Sequence, residues 1–199
     1  MKKISLFLVL ILLIFKTSLA NTYSSDPKIF IKELVSDAIN KLSDKNLTKE
    51  EKSIFVEDIA IENVDINALG LYTLGELRKS TNAKNMNKYQ QTFQKYFLKS
   101  LTSRLTDYSS NKFEITDVEK KSANYTIVKS RILPSENKPE MKIDWRIYTK
   151  NSEKPLIRDL IVEGLSLART QKEEFASILS SNNNDINILI SKLEEFVNN

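Results

Sequence analysis

The sequence predicts an α+β protein: N-terminal helices, a four-stranded curved antiparallel sheet, and closing C-terminal helices. Three observations carry this. Apolar residues recur at steps of three and four up to Tyr108, alternate between Lys112 and Ala168, and return to helical spacing from Phe175 onward. The strand candidates are joined by short polar links, which imply antiparallel neighbours. No internal repeat or linker divides the chain, and 199 residues suit one domain. Helices, then strands, then helices is the order of the α+β class.

The first twenty residues read as a secretory signal. Lys2 and Lys3 make a basic start, Ile4 to Phe15 is nearly unbroken apolar, and Ser18 and Ala20 supply small residues at a cleavage site. The run falls short of the roughly 20 apolar residues a membrane span needs. No Cys follows it, which excludes lipoprotein processing. Cleavage after Ala20 is expected, leaving residues 21–199 as one domain. Cleavage would remove Lys2, Lys3 and Lys16 and no acid. The mature chain would then carry 27 basic and 26 acidic residues, so the basic balance belongs mostly to the precursor. That leaves no basic footprint for nucleic acid.

Pro27 opens the first helix, with Phe30, Leu34, Ala38, Ile39 and Leu42 on one face. Ser43 to Leu47 breaks it. Thr48 and Glu51 form a capping box for a second helix with Ile54, Phe55 and Ile59. Val64 to Leu77 reads as two short helices hinged near Gly70. Asn87 to Tyr108 is the longest helix. Its stripe of Tyr89, Phe93, Phe97, Leu101, Leu105 and Tyr108 leaves two readings open, filled core or ligand wall.

Four strand candidates follow: 112–119, 123–133, 140–150 and 156–168. In the third, Met141, Ile143, Trp145 and Ile147 share a greasy face, opposite Asp144, Arg146 and Tyr148. In the fourth, Leu160 and Val162 oppose Ile161 and Glu163. Gly164 marks a bulge or a close backbone approach. The strand is expected to continue through Leu165 and Leu167. A helix then follows, near Thr170 to Ser181, with Thr170 and Glu173 as its capping box. Phe175, Ile178 and Leu179 pack that helix. After a polar break at 180–184, Ile186, Leu189, Ile190, Leu193 and Phe196 pack the last.

Composition argues against chemistry. The chain has no Cys and no His, which removes thiol nucleophiles, imidazole bases and the commonest metal ligands. Three glycines leave no phosphate-cradling loop. Asp159 and Glu163, four apart in one strand, would stand about 13 Å apart, too far for a glycosidase pair. Asp144 with Arg146, and Arg158 with Asp159, read as solvated or cross-strand ion pairs. Ser166 has no base to activate it. No enzyme activity, cofactor or metal is expected.

Asp159, Val162, Glu163, Gly164, Ser166 and Leu167, followed by a polar turn and Phe175, resemble the C-terminal signature of the MlaC family. These toluene-tolerance proteins are periplasmic phospholipid carriers of Gram-negative envelopes. The resemblance extends to the Asp65 to Gly75 segment and to the long helix with Phe93, Phe97, Leu101 and Tyr108. It departs at Leu77, where relatives place an aromatic, and at Pro155 and Arg158, where relatives often have Trp and Tyr. Gln171 and Lys172 replace a common Tyr-Arg pair.

The resemblance implies helices and sheet closing around an apolar cavity, and a phospholipid ligand. It implies transport between an outer-membrane lipoprotein complex and the substrate-binding ring of an inner-membrane ABC transporter, maintaining outer-membrane lipid asymmetry. The physical logic agrees. A diacyl lipid exposes about 30 methylenes, at ~0.8 kcal/mol each, so crossing water requires an apolar wall. The wall is expected from the helix stripe facing the sheet: Leu74, Phe93, Phe97, Leu101, Val128, Ile143, Trp145, Ile147, Leu160, Val162, Leu165 and Leu167. The competing classes are a periplasmic binding protein for another hydrophobic ligand, a cone-fold enzyme with carboxylates inside its pocket, and a non-catalytic interaction protein with a filled core. N-terminal sequencing of the exported product should begin at Asn21. Met1 retained in a membrane fraction would refute the leader assignment.

Overall fold

The computed structural model describes residues 23–105, 112–134 and 139–199. The expected leader, most of the link from Pro134 to Pro139, and Tyr108 lie outside the described residues.

Helix α1 spans Pro27–Ser43, with Pro27 in its first turn and the Asp26 carboxylate accepting from Ile29 N. Its buried face is Phe30, Ile31, Leu34 and Leu42. Helix α2, Lys49–Asn63, opens on the expected Thr48–Glu51 capping box. Helix α3, Ile66–Thr73, is capped by Asp65. The expected hinge at Gly70 is not there, because α3 runs straight through it. A Cβ at Gly70 would lie 2.6 Å from Gln90 Oε1 and 3.0 Å from Phe93 Cδ1, so this glycine serves close helix packing. The break falls at Gly75, whose φ of +56° suits glycine. It opens a short 3-10 helix, Gly75–Lys79. Helix α4 spans Ala83–Leu105 and starts earlier than its apolar stripe suggested, because Asn82 Oδ1 accepts from Asn85 N.

The sheet has five antiparallel strands in chain order: β1 Phe113–Ser122, β2 Tyr125–Ile132, β3 Met141–Tyr148, β4 Leu156–Val162 and β5 Leu165–Ser166. It is curved and unclosed. Register shifts interrupt β1 at 115–117 and 120–122, and the β3–β4 pairing between Arg146 and Ile147. Such bulges bend strands and change which face a residue serves. The first hairpin turns at Ala123–Asn124, since Ser122 faces Tyr125.

The expected fourth strand is in fact a strand, a turn and a fifth strand. Glu163 and Gly164 have φ of 48° and 82°, the doubly positive signature of a two-residue type I′ turn. Glu163 therefore sits in a turn and shares no strand face with Asp159. Helix α5, Leu167–Ser180, begins earlier than expected, capped by Ser166 instead of Thr170. Inside that helix the Thr170 hydroxyl donates to Ser166 O (3.1 Å). Helix α6, Ile186–Asn198, closes the chain.

Two apolar clusters form. One joins α1 to the inner sheet face through Phe30, Ile31, Leu34, Val128, Trp145, Ile147 and Ile157. The other lies among α2 to α6 and includes Tyr89, Phe93, Phe175, Leu189 and Ile190. The Asp159 carboxylate pins the sheet to α5. It accepts from Ser166 Oγ (2.7 Å) and Ala168 N (3.0 Å), and Arg146 lies 3.4 Å away. Only 2% of its side chain is exposed. Removing it leaves buried donors unsatisfied and Arg146 unpaired. Asp159→Ala should lower stability by about 2–4 kcal/mol in urea unfolding. Asp159→Asn, which keeps an acceptor for Ala168 N, should cost less. An unchanged midpoint in both would refute this role.

Candidate functional site

The site is built from the alternation of the strands. Register places Val128 opposite Trp145, Ser130 opposite Ile143, Trp145 opposite Leu160, and Ile143 opposite Val162. These residues form the inner face. One polar group stands among them. Ser130 Oγ accepts from Trp145 Nε1 (2.9 Å) and donates to Ile143 O (2.8 Å). The indole thereby satisfies its single donor without opening the apolar face to water. Helix α1 covers part of this face. Phe113 and Ile115 of β1 extend it, half-buried; alternation alone could have marked them.

The α4 stripe goes elsewhere. Expected to face the sheet, it belongs to the helical cluster, and α4 packs chiefly on α6, α2 and α3. The closing helices offer it nearer apolar partners: Phe93 meets Phe175 edge-on, with ring centroids 6.2 Å apart. Tyr89 is fully buried, and its hydroxyl donates to Gly70 O (3.1 Å) and bonds Thr73 Oγ1 (2.8 Å). Burial pushes its phenol above the ordinary range. The stripe and the inner face thus stand in separate clusters. Val64, at the end of α2, packs against both.

The twelve residues expected to form a lipid wall fall into three groups. Leu74, Phe93, Val128, Trp145 and Ile147 are buried. Phe93, Val128 and Ile147 are at most 2% accessible, so in this conformation they line no space that water could enter. Phe97, Leu101, Ile143, Leu160 and Val162 are half-buried. Leu165 and Leu167 are open to solvent, Leu165 at 68%. Leu165 pairs with Val162 across the I′ turn, so an apolar strip runs from the inner face to the hairpin tip.

The outer face is charged and tied together. Arg131 meets Glu114 and Glu140, and Lys129 meets Asp117. The expected Arg158–Asp159 and Asp144–Arg146 pairings are replaced by others. Arg146 pairs with Asp159, and Arg158 with Asp65 at 2.7 Å. The β4 bulge is the reason. It turns two consecutive residues, Arg158 and Asp159, to one face, so each finds a different partner. Arg158 also lies 3.4 Å over the Tyr148 ring and donates to Tyr125 Oη (2.8 Å). The gathering of Asp65, Tyr125 and Tyr148 around Arg158 has no local signal in the sequence, because a bulge brings it about.

Among the described residues, no three acidic side chains gather as a metal site. Among them also, no helix is long and apolar enough to cross a membrane. The signature residues hold the fold together: Asp159 anchors, Glu163 and Gly164 turn, Ser166 caps, and Phe175 packs.

No curated protein sequence matches the chain. Among solved structures it is similar to a phospholipid-binding protein from Ralstonia solanacearum, determined in complex with a phospholipid. The TM-score is 0.69 at 16% identity, over 84% of this chain and 94% of that one. At that identity the likeness establishes a common fold. Residues 32–195 match the family model described as MlaC protein, a span that takes in the capped helices, the sheet and the signature hairpin, and the chain belongs to the MlaC family.

Proposed function

We propose that the protein is a non-enzymatic phospholipid carrier of the periplasm. The observation that carries the reading is membership of the MlaC family over nearly the whole mature chain. The phospholipid held by the Ralstonia protein of the same fold supports it. In this reading the leader directs export. The mature protein then moves lipid between an outer-membrane lipoprotein complex and the substrate-binding ring of an inner-membrane ABC transporter.

The packing supports a specific wall. The apolar residues form two separate clusters joined at Val64, and each has half-buried members at its margin. Phe97 and Leu101 form one rim, Ile143, Leu160 and Val162 the other. Acyl chains between them would remove both rims from water, at about 25 cal/mol per Å² of apolar surface covered. Leu74, Phe93, Val128, Trp145 and Ile147 back the wall. Leu165 and Leu167 form its outer lip, where a chain enters or leaves.

The test is organic extraction and native mass spectrometry of the purified mature protein. A phospholipid mass is expected. A lipid-free protein that takes up no phospholipid would end the carrier reading, and a different amphiphile in the extract would replace the ligand.

The wall is tested separately. Phe97→Asp and Leu160→Asp should keep the circular dichroism of wild type and lose most bound lipid, because an unpaired charge against acyl chains is costly. Ile147→Asp, at a position with no exposure, should instead unfold. Equal lipid content in the folded variants would place the wall elsewhere.

A further inference from the structure

We propose that the outer face of the sheet carries a second binding site, a half-open cleft for a single-chain amphiphile with an anionic head. The cleft lies between α3 and the outer face and holds about 570 Å³. That is within the range of small-molecule sites. It is well short of the roughly 900 Å³ that two acyl chains require. The volume suits a single chain.

The lining divides by chemistry. Leu69 and Tyr72 of α3 and Ile127 of β2 make an apolar wall. Tyr72 is 39% exposed although aromatic, and Ile127 is half-buried beside Arg146 on the outer face. At one side stands Arg146. Its NH1 lies 3.4 Å from Asp159, and its side chain is 44% exposed. Among the described residues its other N–H donors meet no protein acceptor. A guanidinium carries five such donors in a planar fork suited to carboxylate or phosphate. Arg158 also lines the cleft, but Asp65, Tyr125 and the Tyr148 ring hold it, so it serves as a wall. Asp159 cannot repel an incoming anion strongly, because its carboxylate is already met by Ser166, Ala168 and Arg146.

This site is separate from the inner wall. Along β2, Ile127 points outward and Val128 inward, so the two sites occupy opposite faces of one strand.

The test titrates the mature protein with dodecyl phosphate below its micelle concentration, with laurate and inorganic phosphate in parallel. Calorimetry reads affinity, and native mass spectrometry reads what stays bound. Saturable one-to-one binding is expected, with co-purified phospholipid retained. Whichever of dodecyl phosphate and laurate binds tighter identifies the head group. Inorganic phosphate should bind at least tenfold more weakly, having no chain for the apolar wall. Arg146→Gln should weaken binding of the single-chain probes about tenfold. Should it unfold for want of a partner to Asp159, the exposed Tyr72→Ala variant carries the test, with a similar loss. Phe97→Asp, on the helical rim of the proposed phospholipid wall, should bind dodecyl phosphate as wild type does. Absent saturation, one-for-one displacement of phospholipid, loss of binding in Phe97→Asp, or unchanged affinity in folded Arg146→Gln and Tyr72→Ala would each overturn the proposal.

Discussion

The fold turns on one buried carboxylate. Asp159 sits on β4, almost wholly out of water, and is met from three directions: by Ser166 Oγ, by Ala168 N and by Arg146. The first two belong to the turn-strand-helix junction that follows it, the third to the neighbouring strand. A buried anion without partners is costly, so each contact constrains the position of the element that supplies it. The type I′ turn at Glu163–Gly164 makes the geometry possible by folding the chain back within two residues. Ser166 then serves twice, donating to Asp159 and accepting from Arg169 N at the start of α5. The residues that identify the family are thus those that attach the helical cluster to the sheet.

Arg158 extends this junction to the other side. Its guanidinium joins β4 to Asp65, the cap of α3, and stacks on Tyr148. Asp65 N also donates to Ile157 O, so backbone and side chain tie the same two segments. Two tyrosines on adjacent strands, Tyr125 and Tyr148, receive the cation. An arginine held by planar stacking and a carboxylate is not replaceable by lysine without loss.

With the junction on one edge, the apolar residues divide into a helical cluster and a sheet cluster in place of one merged core. The division bears directly on the proposed carrier. A single interdigitated core would leave no surface for acyl chains, whereas two clusters with half-buried rims present apolar surface that a ligand can cover. The outer face contributes differently, since ion pairs occupy most of it. The cleft beside α3 is the place where apolar side chains and a partly free guanidinium come together.

Some of this was legible in the residues alone. The period change from helical to alternating and back determined the order of elements. The Thr48–Glu51 box and Pro27 determined two helix starts, because caps are local chemistry. The signature from Asp159 to Phe175 pointed to the family. Tertiary structure decided what needed distant partners. Gly70 looked like a hinge and became a contact surface because Phe93 lies against it. Thr170 looked like a cap and lost to Ser166, because the two-residue turn at Glu163–Gly164 brought the chain round early enough for Ser166 to meet Asp159. Phe93 and Ile147 shared the expected wall but ended in different clusters, since periodicity assigns a residue to a face and only packing assigns that face a partner. The bulge at Arg158 decided the ion pairs, because one unpaired backbone position changes which side of the sheet a charge reaches.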